Sequence, residues 1–429
     1  MNGVIKMISL DDIEENIKNL EFYLVGGAVR DYQMGIEPKD YDFVVVGETE
    51  ESMKSRGFVP IMADFPIFMD SQSNEYALAR MEKKTGHGYK GFDVYSSPEV
   101  ALEDDLVRRD FTMNAMALHV PTQTLIDPYN GTEDIRKGII RHVSDAFSED
   151  PLRVLRACRF ASRFDFKIVD ETIGLCRKIS HELEHVKGER LGEEIVKAME
   201  QTKNPVKFFE YFHETGAMDV ILPELSTLKD IPAGPVKYHE ETAFKHSMMV
   251  LDEMYGLRGN NPTALLMAVF HDIGKSVTKS DVLPHHYKHN KLGKDVVLEI
   301  AERFKMSNKL KEALLISVTK HQKFRKMVDT SRTGKIISFM ENLTGRKNKN
   351  LIELMLDLTE ADRRGRIPQG EFNRSEYRKL IDSSLKVIED VKGRHILEEY
   401  DIESGKKVGI LLHQRRAEEL RTELRSGLK

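Results

Sequence analysis

At 429 residues the chain exceeds what one hydrophobic core sustains, and its length corresponds to roughly three or four domains. Hydrophobic residues at 40% and an apolar run no longer than Ala264 to Phe270, against the roughly 20 residues that span a bilayer, argue against a membrane-spanning class. A net charge of -5 excludes a protein coated in basic surface, so a nucleic acid would have to be met by local basic patches.

The N-terminus carries Asp11, Asp12, Glu14 and Glu15 where an export signal requires an apolar stretch, so a cytoplasmic protein is expected. Phe22 to Val25 reads as a strand, Gly26 and Gly27 as a tight turn, and Ala28 to Met34 as a helix. Glycines there let phosphate oxygens approach backbone N–H groups at the positive end of the helix, with Arg30 reaching in from its first turn. The same glycine pair also serves simply to turn the chain. Lys39-Asp40-Tyr41-Asp42-Phe43 then runs into Val44, Val45 and Val46. Strand alternation projects Asp40 and Asp42 to one face while the valines enter a buried sheet. Two adjacent carboxylates repel, and Mg²⁺ held between them and a polyphosphate offsets that cost. A lone acidic pair at a strand end is commonly just solvated; the preceding glycine turn is what suggests a seat for a nucleoside triphosphate.

Farther along, the basic, glycine-rich stretch Lys83 to Gly91 reads in its simplest form as a hairpin turn, and Asp93, in a β-like run, is a candidate third carboxylate. Arg108 and Arg109 begin a series of local positive features that continues at Arg346 to Lys349 and at Arg415, Arg416, Arg421 and Arg425. The segment Glu149-Asp150-Pro151-Leu152-Arg153 opens a helix with Asp150 as N-cap and Pro151 in the first helical position. Arg153, Arg156, Arg159 and Arg163 share one stripe of it, too basic to face a core and suited to a polyanion. A carboxylate only accepts and a guanidinium only donates. Cytosine and adenine present an amino donor beside a ring-nitrogen acceptor, whereas uracil and guanine present the opposite polarity. An Asp150–Arg153 pair would therefore admit C and A without a nucleic-acid template. Cys158 and Cys176 are expected to be buried and reduced.

From Pro151 onward helical periodicity dominates, with a Pro- and Gly-rich break at residues 230–235 ahead of a histidine-rich module. Phe270-His271-Asp272-Ile273-Gly274-Lys275 follows an apolar helical stretch and sets two different metal-ligand types side by side. A single histidine on a helix is more often a packing residue, but the adjacent pair with Gly-Lys behind it reads as metal-binding. The last thirty residues read as a charged helix.

These runs, together with Leu102 to Ala115, Asp127-Pro128-Tyr129-Asn130-Gly131 and Glu189-Arg190, resemble in order and spacing the bacterial-type (class II) CCA-adding tRNA nucleotidyltransferases over about the first 200 residues. The similarity continues through a C-terminal HD domain, as in the multifunctional CCA proteins. The resemblance implies an α+β nucleotidyltransferase head with a polymerase-β-like mixed sheet, followed by a mostly α-helical body that includes the HD domain. The expected division is head 1–140, helical neck for base recognition and RNA binding 141–229, HD phosphohydrolase domain 230–370 and helical tail 371–429. The implied reaction is transfer of CMP, CMP and AMP from CTP and ATP to the 3′ end of tRNA.

Carried over by position, Gly27 and Arg30 would contact the triphosphate and the catalytic Asp40 and Asp42 would bind Mg²⁺. Arg109 and Asp110 would meet phosphate and ribose, and Asp150 and Arg153, backed by Arg156 and Arg159, would form the protein template. Glu189 and Arg190 resemble a helix-bracing motif, and Lys83 to Gly91 the flexible loop required for the adenosine step. In the HD domain His246, His271, Asp272 and Asp362 resemble the ligand set, with His285, His286, His289 and His321 lining it as substrate or second-metal groups. The implied activities there are 2′,3′-cyclic phosphodiesterase, 2′-nucleotidase and phosphatase, supported by nickel or magnesium, in a monomer or homodimer. Competing expectations are an enzyme adding only C, only A or a poly(A) tail, and a non-catalytic RNA-binding protein; retention of Asp40, Asp42, His271 and Asp272 argues against the last.

Overall fold

The computed structural model describes residues 8, 13, 15–62, 66–84, 92–239, 241–330, 332–344, 349–400, 403 and 405–426. Two compact units divide the chain, Met1–Ile221 and Leu222–Lys429.

The first unit is built on a seven-stranded mixed sheet. In chain order its elements are β1 (Glu21–Val25), α1 (Gly27–Gln33), β2 (Asp42–Val46), α2 (Glu50–Ser55), β3 (Val59–Pro60), β4 (Ile67–Met69) and β5 (Glu75–Leu78). A hairpin of β6 (Arg80–Lys84) and β7 (Phe92–Ser96), the helix α3 (Leu102–Leu106), β8 (Ala117–His119) and β9 (Thr124–Ile126) follow. The sheet order is β3-β4-β5-β2-β1-β8-β9, with β2 and β5 parallel and the other neighbours antiparallel. Both faces are covered, which explains why β1 and β2 read as continuous apolar runs rather than alternating ones. Phe22, Leu24, Phe43 and Val45 join one core with Ala28 and Val29 of α1, while Tyr23, Val25 and Val44 join another with Leu102 and Leu106 of α3. Phe43 stacks on its register partner Tyr76 with ring centroids 4.8 Å apart.

Asp40 departs from expectation. It lies in the loop before β2, whose first residue is Asp42, so strand alternation does not set its direction. Residues 85–91 of the glycine-rich stretch, residues 346–348 of one basic stretch, and Asp11, Asp12 and Glu14 lie outside the described residues, and Asp93 is described only as paired with Lys83 in the hairpin.

The rest of this unit is helical: α4 (Gly131–Lys137), the short strands β10 (Ile139–Ile140) and β11 (Lys167–Ile168), α5 (Leu152–Phe164), α6 (Asp170–Ile179), α7 (Gly188–Gln201), α8 (Pro205–Glu214) and α9 (Ala217–Ile221). Asp150 has extended backbone and its carboxylate accepts from the Leu152 N–H at 3.1 Å, while Pro151 already has helical φ and ψ, so α5 opens as a capped helix with proline at its start. Cys158 and Cys176 are buried and free.

The second unit contains α10 (Pro223–Thr227), α11 (Ala243–Arg258), α12 (Pro262–Phe270), α13 (His289–Arg303), α14 (Asn308–Arg325), α15 (Thr333–Thr344), α16 (Lys349–Arg364), α17 (Arg374–Asp390), α18 (Gly393–Tyr400) and α19 (Lys406–Ser426). The longest apolar run of the sequence is α12, a core helix on which α11, α14 and α16 pack. Among the described residues no helix is long and apolar enough to cross a membrane. Gly274 permits the close approach of α13. A Cβ there would lie 2.0 Å from the His289 carbonyl oxygen and 2.6 Å from the Gly293 nitrogen. In the tail, Arg416 is not a free positive charge: it binds Glu341 at 2.6 Å and the carbonyl of Val391 at 2.8 Å.

Candidate active sites

A cleft of about 900 Å³ opens in the first unit at the end of β1 and the start of β2. Gly26, Gly27, Arg30, Asp40, Asp42, Arg109, Asp110, Asp150, Arg153, Arg156 and Arg159 all line it, so side chains from distant stretches of sequence meet in one place. Ten Arg and Lys side chains against five Asp make the walls strongly positive around an acidic floor. That arrangement matches a polyphosphate carrying divalent cations. Gly26 has φ 66°, which favours glycine, and a Cβ on it would lie 2.8 Å from Arg109 Nη1, so a larger residue would strain the turn and push the guanidinium aside. Arg109 is tied to Asp105 at 3.0 Å. Partial desolvation in the cleft raises the Asp42 carboxyl above its usual range and the neighbouring Asp40 adds to the rise, with Arg109 opposing both. Such a pair fits a divalent cation, whose charge would remove the repulsion.

The arginine stripe is more committed than its sequence suggests. Arg153 donates from Nη1 and Nη2 to the carbonyls of Ala146 and Arg108 at 2.8 and 2.6 Å. Arg156 donates twice to Asp110, at 2.8 and 2.6 Å, and Asp110 also accepts from Asn114 at 2.9 Å. Burial pushes the Asp110 carboxyl upward, but the Arg156 charge and these hydrogen bonds prevail and hold it below its usual range. Arg159 lines the cleft but is the most enclosed of the stripe's arginines. It is 6% exposed, pairs with Glu194 of α7 at 2.6 Å and lies over the Phe160 ring. Arg30 is likewise buried, held by Asp31 at 2.7 Å and by the Asn114 side chain at 2.7 Å. Arg190 lines the cleft and reaches 3.7 Å from Asp150.

The Arg159–Glu194 pair carries a stability prediction. Removing one partner of a buried pair leaves an uncompensated charge, so Glu194→Ala is expected to cost about 3–5 kcal/mol. Urea unfolding of the variant checks this, and a loss below about 1 kcal/mol contradicts it.

The second unit gathers a histidine cluster around Asp272. His246 comes from α11, His271 and Asp272 from the end of α12, His289 from the start of α13, His321 from α14 and Asp362 from α16. All are at most 5% exposed. The Nδ1 atoms of His246, His271, His289 and His321 lie 2.7, 2.7, 2.8 and 2.9 Å from the carbonyls of Gly365, Ala268, His286 and Ser317. A carbonyl only accepts, so each Nδ1 carries a proton, and in the neutral ring each Nε2 keeps a bare lone pair. Those lone pairs converge on carboxylate oxygens: His271 and His246 lie 3.3 and 3.7 Å from Asp272 Oδ2, His289 and His321 lie 3.1 and 3.3 Å from Asp272 Oδ1, and His246 lies 3.3 Å from Asp362. Acceptors facing acceptors in a buried site call for a positive charge between them, a metal ion or a proton on a ring. His246 Nε2, His271 Nε2 and Asp272 Oδ1 are buried without a hydrogen-bond partner, so the residues fit a divalent metal ion. Lys275 and Arg366 brace Asp272 and Asp362 at 2.5 and 2.7 Å. Of the other two histidines, His286 bonds the carbonyl of Pro232 at 2.8 Å and His285 stacks on Tyr287, both at the margin of this pocket of about 380 Å³.

Burial lowers the His239, His246, His286 and His321 imidazoles, His246 to about 4; His271 is raised because the charge of Asp272 outweighs burial. Where the folded pKa lies below the unfolded value of about 6.5, the unfolded chain binds more protons between the two, so folding stability falls as pH drops. The chelator-treated protein is therefore expected to melt lower at pH 5 than at pH 7.5, and an equal or higher Tm at pH 5 contradicts this.

Comparison with known proteins bears on the whole chain. Residues 22–141 match the Poly A polymerase head domain, 165–228 the probable RNA and SrmB- binding site of polymerase A, and 243–366 the HD domain. A multifunctional CCA protein of Alkalilimnicola ehrlichii is 39% identical over 395 residues, covering 88% of this chain and 94% of its own length. The chain belongs to the multifunctional CCA protein family. Another member, from Haemophilus influenzae, is 40% identical over 359 residues, covering 81% of this chain and 85% of its own. The fold is shared with the Thermotoga maritima CCA-adding enzyme complexed with tRNA, at TM-score 0.61 and 20% identity over 96% of this chain and 92% of that one. It is also shared with a CCA-adding enzyme in complex with CTP, at TM-score 0.59 and 23% identity, covering 94% and 88%. In this member of the multifunctional CCA family, Asn114 binds Arg30 and Asp110 and Glu194 binds Arg159, and local sequence pattern singles out neither. Asn114 sits inside the Leu102 to Ala115 run; Glu194 stands on α7, with nothing local to pair it with Arg159.

Proposed function

We propose that the chain adds C, C and A to the 3′ end of tRNA, using CTP and ATP, and that its second unit is a metal-dependent phosphohydrolase acting on phosphoester termini, including 2′,3′-cyclic phosphates. The observation that carries the first part is the meeting of Asp40 and Asp42 with Arg109, Asp150 and Arg153 in one positive cleft. Asp40 and Asp42 would hold Mg²⁺, which when bound would supply charge neutralisation at the triphosphate and make the RNA's terminal 3′-hydroxyl more acidic. The backbone at Gly27 and the Arg30 and Arg109 guanidiniums receive phosphate oxygens, and Asp110, fixed by Arg156 and Asn114, meets the ribose. Asp150 accepts the amino group of cytosine or adenine. Arg153, its Nη atoms holding two carbonyls, offers the ring nitrogen its Nε or an Nη released from one of them. Arg156 and Arg159 act behind this pair through Asp110 and Glu194. We divide the chain functionally into head 1–140, neck 141–229, HD domain 230–370 and tail 371–429, working in the cytoplasm.

In the HD pocket, His246, His271, Asp272 and Asp362 hold a divalent ion, Ni²⁺ or Mg²⁺, which when bound supplies Lewis-acid activation of water and phosphate. His289 and His321, on the other oxygen of Asp272, offer a second position. Lys275, Arg325 and Arg366 at the pocket wall receive the phosphate charge, and the exposed faces of Tyr238 and Tyr287 suit a nucleobase. Purified protein given tRNAs lacking one, two or three terminal nucleotides, with each labelled NTP separately, tests the first activity. CTP alone is expected to add two residues to the shortest tRNA and ATP one residue to tRNA ending in CC, with UTP and GTP inert. A homopolymeric tail, or addition of C alone, moves the assignment to a partial-addition or poly(A) enzyme.

A further inference from the structure

Beside the HD pocket lies a second cavity of about 910 Å³, formed where the end of α14 faces α15. Lys320, Lys323, Lys326 and Lys335 line it against a single acid, Asp329, and its floor is Met327, Ile336 and Phe339. It shares Gln322, Lys326 and Asp329 with the HD pocket, so the two are continuous. Lys323, Lys326 and Lys335 are exposed. A row of lysines over an apolar, aromatic-bearing floor is the composition of a single-strand track: cations meet successive phosphates while unstacked bases rest on apolar and aromatic surface. A mononucleotide filling the HD pocket has no phosphate that would need such a track. We infer that this groove carries the nucleotides upstream of an RNA 3′ end whose terminal phosphoester sits at the histidine cluster, so that the hydrolytic site is built for a polynucleotide terminus.

The inference rests on the phosphohydrolase function of that pocket and extends it to a substrate class. Its test compares wild-type protein with the Lys323→Glu/Lys335→Glu double variant, both sites lying outside the pocket around the metal ligands. The probes are a 12-nucleotide single-stranded RNA ending in a 2′,3′-cyclic phosphate and the mononucleotide 2′,3′-cyclic AMP. For the RNA, kcat/KM is expected to fall by about tenfold or more and the slope of log(kcat/KM) against log[salt] to flatten by about one to two, as for lost phosphate contacts. For the mononucleotide, kcat/KM is expected to stay within about twofold. Equal effects on both substrates, or none on the RNA, overturn the inference. A second readout does not depend on hydrolysis. A 4-thiouridine placed three nucleotides from the RNA's 3′ end is expected to crosslink to peptides of residues 320–342 in the wild type and not in the variant. Crosslinks elsewhere only, with hydrolysis intact, overturn the groove; crosslinks in the groove with neither probe hydrolysed overturn the phosphohydrolase assignment instead.

Discussion

Asp42→Asn is expected to reduce CMP and AMP incorporation by about 10³-fold or more, since a divalent ion at a phosphoryl centre contributes several kcal/mol to the transition state. Stability should move the other way. The folded pKa of Asp42 is raised, so its contribution to stability is present below the unfolded value and is lost as pH rises through the folded one. In Mg²⁺-free buffer the variant should therefore melt at the same temperature as the wild type or higher. Dead polymerisation with an unharmed fold is the signature of a residue kept for chemistry at a cost in stability. Incorporation at the wild-type rate removes Asp42 from the site, and a collapsed Tm makes it structural. Hydrolysis of a cyclic phosphate by the same protein should be unchanged.

His271→Ala is the converse experiment. Its Nε2 faces Asp272 Oδ2 at 3.3 Å and has no other partner, so its loss removes a ligand without stripping the buried Lys275 of its counter-charge. Cyclic phosphodiesterase activity should fall by about 10³-fold or more, and affinity for a divalent ion by more than about 10-fold to 100-fold, since losing even a group behind a ligand costs that much. Nucleotide addition should persist. A variant that opens cyclic phosphates normally would exclude His271 as a ligand.

Much of this architecture was legible beforehand, and the rest was hidden for definite reasons. The strand-turn-helix over Glu21 to Gln33 follows from an apolar run stopped by two glycines, and the His271-Asp272 pair declares its chemistry by adjacency. What local pattern does not encode is which partner a charged side chain finds across the fold. Arg159 sits at the same helical spacing as Arg153 and Arg156 but meets Glu194, contributed from 35 residues downstream, and is buried by it. Asp40 looked like a strand residue because Asp42 is one; the strand begins only where Asp42 pairs with Glu75 of β5. His285, His286 and His289 are close in sequence and His321 lies on another helix, yet of the four only His289 and His321 reach Asp272. Helix α13 starts at His289, and its close approach across Gly274 brings that residue in, while His321 comes from α14.

A crystal of the full chain grown with CTP and Mn²⁺, the latter as an anomalous stand-in for Mg²⁺, tests the central claim most directly. Anomalous density between Asp40 and Asp42, with the triphosphate against Gly27 and Arg109 and the cytosine amino group on Asp150, is the predicted result. A nucleotide bound elsewhere, or those two carboxylates turned from an empty cleft, would contradict it.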